Sequence, residues 1–339
     1  GAKCEPGVVN HGSTSGCTVA MTGYALLCFL SDGYDSVSPT KYRKVVVSGL
    51  QYLLSVQRQD GYLGDRNYEN AVATTALCEA YGMSGDPQLK IAAQKGVDQI
   101  ISHQNQDGAA VASGYGAGMG WDYVGPSNRN DSSVSGWNVM ALKSAFGAGL
   151  SIGTSLDSCK KWLEVVWKKQ NPDWAHLDPY TGESRFPYTY DTLTGATEIS
   201  AAPAPGQPSP QDHDLTCVGG VCAVFLGRRS GDPMLESLVN YVVNHQMPSQ
   251  YPCNTYYMYY NTMTVFQIGG DRWKRWNQQV RDMLVHAQRT DAGCFSGSWD
   301  AQGTMFPGNE IGRVLSTAYC CLSLEVYYRH ERQLKDHAH

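Results

Sequence analysis

The sequence predicts an all-α fold, a single domain of helix hairpins closed into a ring in which buried inner helices are wrapped by amphipathic outer ones. Three observations carry this. A frame of apolar residues at helical spacing, ending in Gln, occurs five times; between its copies lie helices that are apolar nearly all round; and glycines with Ser-Gly-Asp-Pro strings punctuate the joints. A helix pair that cannot bury its apolar face alone must stack on neighbours, so repetition of this kind implies a continuous layered core.

Taken in order, Gly1 to Gly16 has no helical periodicity and reads as an N-terminal arm, residues 1–16. Val19 to Leu30 is the first all-apolar helix, followed by the frame Gly49-Leu50-x-x-Leu53-Leu54-x-x-Gln57-x-x-Asp60-Gly61. Ala71 to Tyr81 is the second inner helix, and the frame returns as Gly96-Val97-x-x-Ile100-Ile101-x-x-Gln104-x-x-Asp107-Gly108. Val134 to Ala145 precedes Trp162-Leu163-x-x-Val166-Trp167-x-x-Gln170, Leu215 to Leu226 precedes Leu238-Val239-x-x-Val242-Val243-x-x-Gln246, and Tyr257 to Ile268 precedes the weaker Val280 to Gln288 copy. Val314 to Tyr327 is the sixth inner helix, which leaves one outer helix short; the segment before Cys17 or the tail after Tyr328 could take its place. In Ser84 to Pro87 and Ser230 to Pro233, Gly stops one helix, Asp caps the next and Pro occupies its first turn. The interruption at 171–213, rich in Pro, Gly, Thr and Tyr, reads as an excursion within the domain, with a hairpin around Arg185 to Tyr190 and a flexible run at Ala201 to Pro210.

The formal net charge of -5 argues against nucleic acid or an acidic membrane as partner, and no apolar run is long enough to span a bilayer. Eleven cysteines without a C-x-x-C pair suggest an oxidising compartment, extracellular or in the envelope or periplasm, with disulfides; the bland alternative makes Cys28, Cys78 and Cys222 small core residues. An odd number cannot pair fully within one chain, and Cys4 in the arm is the candidate link to a second copy. The start at Gly1 rather than Met fits a processed chain.

The pattern of Gly or Ala, aliphatics, Gln and Asp-Gly resembles the QW repeat of the squalene-cyclase and prenyltransferase-type α/α toroids, over nearly the whole of 1–339. Asp131 to Ala145, Gly312 to Ala318 and Leu324 to Arg329 are similar to signatures of a mostly uncharacterised bacterial branch. The resemblance implies an incomplete or complete (α/α)6 barrel. In the family a Trp stands two residues after the repeat's Gly; here those places hold Leu63, Ala110 and Phe295, and only Gly297-Ser298-Trp299 keeps the form. The family's chemistry is missing as well. No DxDD acid motif occurs, Asp212-His213-Asp214 being the nearest string, and the Asp, Cys and His zinc set of protein prenyltransferases finds only Asp214 and Cys217 at the wrong spacing, with Tyr256, Tyr257 and Tyr259 where a His is needed. Neither zinc nor any other cofactor is expected.

Four carboxylates, Glu69, Asp131, Asp214 and Glu310, stand just before or at the starts of inner helices, which share one face of a toroid. They could converge as an acid/base pair for glycan cleavage, or each could cap its own helix. Aromatics gather near the same face: Trp121, Tyr123, Trp137, Tyr188, Tyr190 and Tyr256 to Tyr260. Such rings suit a sugar or an isoprenoid, or are simply core. His213 and His11 are lone histidines, His213 standing among the ligand candidates. With the family's catalytic sets absent, the first expectation is a secreted or envelope toroid without catalysis that binds a partner or assembles with itself; the alternative is an enzyme acting on a glycan or isoprenoid at an acidic, aromatic mouth.

Overall fold

The computed structural model describes residues 17–106, 118–178, 180–199, 214–291, 293–304 and 312–336. Six helices in these residues form an inner ring: α1 (Thr18–Ser31), α3 (Asn67–Ser84), α5 (Ser132–Gly147), α7 (Thr216–Phe225), α9 (Thr255–Ile268) and α11 (Gly312–Asp336). Each packs on the next, and α11 returns to α1, so the ring closes. Outside it lie α2 (Arg43–Val56), α4 (Pro87–Ser102), α6 (Ser155–Gln170), α8 (Pro233–His245) and α10 (Gly270–Ala287). This is the α/α toroid expected from the repeat.

Composition dictates the layers. Every residue of α3 from Glu69 to Cys78 is buried, so that stretch has no solvent face, whereas α10 buries only Trp276, Val280 and Leu284 along one stripe. Burying a Leu or Val side chain contributes about 1.5–3 kcal/mol, and the inner helices do so on both sides. Small residues let inner helices approach: a methyl added at Gly23 of α1 would stand 2.9 Å from Val72 Cγ1 and 3.2 Å from the Ala73 backbone nitrogen of α3. Gly23→Val is therefore expected to cost about 1–3 kcal/mol by overpacking. A urea midpoint equal to or above wild type would show that the ring has slack at this joint.

The joints follow local chemistry. Gly85 ends α3 in the left-handed conformation at φ 67°, and Asp86 accepts from the Gln88 N–H with Pro87 in the first turn of α4. Asp232 likewise accepts from the N–H groups of Met234 and Leu235 ahead of α8. The frame's glutamines stand at or just past the outer-helix ends and tie down the chain that follows. Gln57 donates to the carbonyls of Gly61 (2.8 Å) and Ala92 (2.9 Å), Gln104 to Met119 (2.8 Å) and Gln288 to Gly297 (2.8 Å).

The repeat's Trp position differs from the spacing-based assignment. The N–H groups of Arg58, Asn105 and Arg289 donate to the carbonyls of Tyr62, Gly120 and Ser298, which makes Leu63, Trp121 and Trp299 equivalent. Both tryptophans donate Nε1–H to an outer-helix carbonyl four residues before the Gln, Trp121 to Ile100 (2.7 Å) and Trp299 to Leu284 (2.8 Å). Ala110 lies outside the described residues; inserted chain between Gln106 and Gly118 displaces the Trp from its nominal spacing.

Two further expectations need correction. The hairpin lies later than Arg185 to Tyr190: β2 (Thr189–Asp191) pairs antiparallel with β3 (Thr197–Glu198), and its other edge pairs with β1 (Arg129–Asp131), a strand formed by residues directly ahead of α5. Asp191 sets the turn by accepting from the N–H groups of Leu193 and Thr194. Nor does a disulfide join any two described cysteines; Cys78, Cys159, Cys217, Cys222 and Cys320 are buried within helices as small core residues. Cys4, the 1–16 arm and the Ala201 to Pro210 run lie outside the described residues. No described helix is long and apolar enough to cross a membrane.

Among the described residues no outer helix covers the seam where α11 meets α1. A groove of about 740 Å³ runs there, lined by Met21, Leu26 and Phe29 of α1, Val45 of α2, and Val314 and Ala318 of α11.

Candidate functional site

The axis of the ring is filled. Tyr24 of α1 packs edge-on against Trp137 of α5 (ring centroids 5.1 Å) and Tyr319 of α11 (5.3 Å), while Tyr256 of α9 packs at a tilt, at 4.6 Å, on Tyr260, which meets Trp137 at 6.3 Å. The Tyr24 hydroxyl bonds those of Tyr319 (2.9 Å) and Tyr68 (3.1 Å). Burial pushes the hydroxyls of Tyr24, Tyr256, Tyr260 and Tyr319 well above the usual phenol range. They stay protonated rather than acting as bases, and those of Tyr24 and Tyr319 hydrogen-bond each other. Trp137 and Tyr256 thus belong to an aromatic plug.

Above the plug, where α3 and α5 begin, a half-buried polar and aromatic surface collects. Tyr68, the second residue of α3, leads outward from the plug. The Tyr123 and Tyr188 hydroxyls are 3.1 Å apart, and the Arg129 guanidinium lies over both rings, at 5.8 Å and 5.5 Å. Arg66, exposed, approaches Tyr123 at 5.9 Å. Arg129 pairs with Asp122 (2.5 Å) and with Asp131 (3.0 Å), which hold it charged despite part burial. Burial, reinforced by Asp131, raises the Tyr188 hydroxyl.

Each described carboxylate is bonded to the chain at its own helix start. Glu69 accepts from the Asp65 N–H (2.9 Å), and desolvation raises its carboxyl above the ordinary range. Asp131 caps α5, accepting from the N–H groups of Ser133 (2.9 Å) and Val134 (3.1 Å) besides its bond to Arg129. Asp214 accepts from the Thr216 N–H (2.8 Å) and takes Arg185 through Nε (3.0 Å) and Nη2 (2.7 Å). Tyr257 donates to the Asp214 carbonyl (2.6 Å), holding that corner, and Trp121 is enclosed in the wall. Glu310 and His213 lie outside the described residues. Arg129 and Arg185, each neutralising a buried Asp at an inner-helix start, are absent from the sequence-based candidates; Arg129 has a local signal, two residues ahead of its partner, whereas Arg185 stands far along the chain from Asp214. Tyr68 is a third addition. Among the described residues no group of three His, Cys, Asp or Glu side chains is placed to hold a metal ion.

No family model and no curated protein matches the sequence. Similar solved structures include a D-mannose isomerase (14% identity, 92% of this chain and 87% of that chain, TM-score 0.61) and the cellobiose 2-epimerase of Spirochaeta thermophila (12%, 93% and 86%, 0.61). A third is an inactive variant of an α-1,6-mannanase of Salegentibacter sp. in complex with α-1,6-mannotetrose, two adjacent aspartates being replaced by alanine (14%, 92% and 89%, 0.57). The present sequence contains no two adjacent acidic residues. These likenesses establish the α/α-toroid fold. They also correct the expectation of a toroid without catalysis: the similar structures named here are an isomerase, an epimerase and a mannanase.

Proposed function

We propose that this chain is a carbohydrate-active enzyme that engages its glycan where the inner helices α3 and α5 begin, on the surface formed by Tyr68, Tyr123, Tyr188, Arg66 and Arg129. The observation that carries this reading is the gathering of three tyrosines and two arginines directly above the axial plug. Tyrosine offers a sugar both a ring for its C–H face and a hydroxyl for its polar edge, and guanidinium N–H groups suit sugar hydroxyls. The sugar-acting enzymes of the same fold make a glycan the fitting class of ligand. An extracellular or envelope setting goes with such a substrate. The QW-like frame resembles the repeat of prenyltransferase-type toroids, but no family model matches, and prenyl transfer is not proposed because the DxDD acid and the zinc set are missing from the sequence.

Titration calorimetry with manno- and gluco-oligosaccharides, alongside product analysis, tests the reading. Tyr188→Ala is expected to weaken binding about tenfold, the equivalent of one aromatic contact of ~1.4 kcal/mol. Absence of binding to any oligosaccharide, or affinity indifferent to both Tyr188→Ala and Tyr68→Ala, would remove it.

A further inference from the structure

Beside this surface, on the outer side of the chain at Asp122 to Val124, a second and smaller cavity of about 210 Å³ is lined by Arg58, Asp60, Tyr62, Asp65, Gln99 and His103. Its chemistry follows from one buried amide. The Asn67 Nδ2 donates to two backbone carbonyls, Asp122 (2.7 Å) and Val124 (3.0 Å), so the amide can stand only one way round, with Oδ1 as acceptor. That oxygen receives the Tyr62 hydroxyl (3.0 Å) and the His103 Nδ1 (2.7 Å). An oxygen without a proton cannot donate, so Nδ1 of His103 must carry the hydrogen. Burial lowers the basicity of the imidazole, opposed by Asp60, and keeps it neutral near neutral pH. In a neutral ring protonated at Nδ1, Nε2 presents a bare lone pair. With Nδ1 held by Asn67, Nε2 lies on the other side of a ring that lines the cavity and is braced against Tyr62 at 5.1 Å.

The remaining wall is equally committed. One Asp60 oxygen accepts from the Tyr62 N–H (2.9 Å), Gln99 Nε2 donates to the Asp60 carbonyl (2.8 Å), and Arg58 pairs with Asp65 (2.7 Å) at the rim. The cavity therefore offers acceptors at His103 Nε2 and the Asp60 carboxylate, and guanidinium donors at Arg58. It is smaller than the roughly 300 Å³ at which pockets for larger organic ligands begin, a size for one ring. Val124 is the one aliphatic side chain of the lining, and adjacent hydroxyls of a pyranose match alternating acceptors and donors.

We propose that this cavity is a subsite for a single sugar residue, with the tautomer-locked His103 Nε2 accepting a hydroxyl proton and Arg58 and Asp60 engaging the neighbouring hydroxyls. The choice of ligand class rests on the carbohydrate reading above; the state of the histidine does not. Long-range ¹H–¹⁵N spectra of the full chain at neutral pH are expected to display His103 as the Nδ1–H tautomer, and titration with D-mannose or D-glucose to move its Nε2 resonance. His103→Phe, which keeps a ring against Tyr62, should weaken monosaccharide binding about tenfold, the loss of one well-made hydrogen bond. An Nε2–H or doubly protonated ring overturns the derivation. So does an Nε2 signal unmoved by mannose, glucose and glucuronate up to about 100 mM, the weak end of measurable affinity. If the His103 shift persists while oligosaccharide binding ignores Tyr188→Ala and Tyr68→Ala, the larger site alone fails.

Discussion

Trp121→Ala is expected to lower stability by about 3–5 kcal/mol, the range for emptying a fully buried tryptophan site. The indole is wholly enclosed and donates Nε1–H to Ile100, while the residue's backbone carbonyl accepts from the Asp131 N–H (2.8 Å) and its N–H donates to the Ser135 hydroxyl (2.9 Å). The change therefore loosens the outer helix α4, the strand β1 and the start of α5 together. Urea unfolding monitored by circular dichroism reads the loss, with Trp299→Ala as the equivalent change across the ring. A loss below about 1 kcal/mol for Trp121→Ala would mean that the position is a filler and not a tie between layers.

Arg185→Leu is the second large effect expected, about 2–4 kcal/mol. The Asp214 side chain has no exposed surface and receives two guanidinium bonds, so removing the cation leaves a buried carboxylate without its counter-charge. Arg185 itself is 34% exposed, which lets water reach the vacated place and holds the cost below that of a fully sealed pair. The double change Arg185→Leu with Asp214→Asn should recover part of the loss, because it removes the stranded charge as well. Equal losses in the single and double variants, measured by denaturant midpoint, would show that the guanidinium acts by packing over Tyr241 (5.2 Å) rather than by charge.

The layers and their joints were legible because they are written in local pattern: helical spacing of apolar residues, Ser-Gly-Asp-Pro, and a Gln at each outer-helix end. What depended on partners far along the chain was not. β1 exists because Asn130 pairs with Tyr190, sixty residues away, and nothing around Asn130 itself announces a strand. The tryptophan of the second repeat was hidden by inserted chain, which moves Trp121 in the sequence without moving its place against Ile100. The acids were visible as residue types at helix starts, and the capping half of that reading matches the bonds of Asp131; the arginines that neutralise Asp131 and Asp214 become visible only in the fold. Cysteine count pointed to disulfides, yet burial explains Cys78 and Cys222, whose thiols desolvation raises far above the ordinary range. His103 carried no sequence signal at all, since its tautomer is decided by an amide on another helix and two carbonyls of a loop.

The contact between Tyr24 and Tyr319 joins residues 295 positions apart, and it is where the ring shuts. Each inner helix from α3 onward finds its predecessor already made as the chain grows, but one flank of α1 has no partner until α11 has been synthesised. Closure is the most non-local event in the assembly, and such contacts form late because chain entropy must be spent before they give anything back. During synthesis, at about 5–20 residues per second, the open arc exposes the apolar side of α1 for many seconds. An incomplete chain of this kind leaves one flank of its first helix uncovered until the last helix arrives.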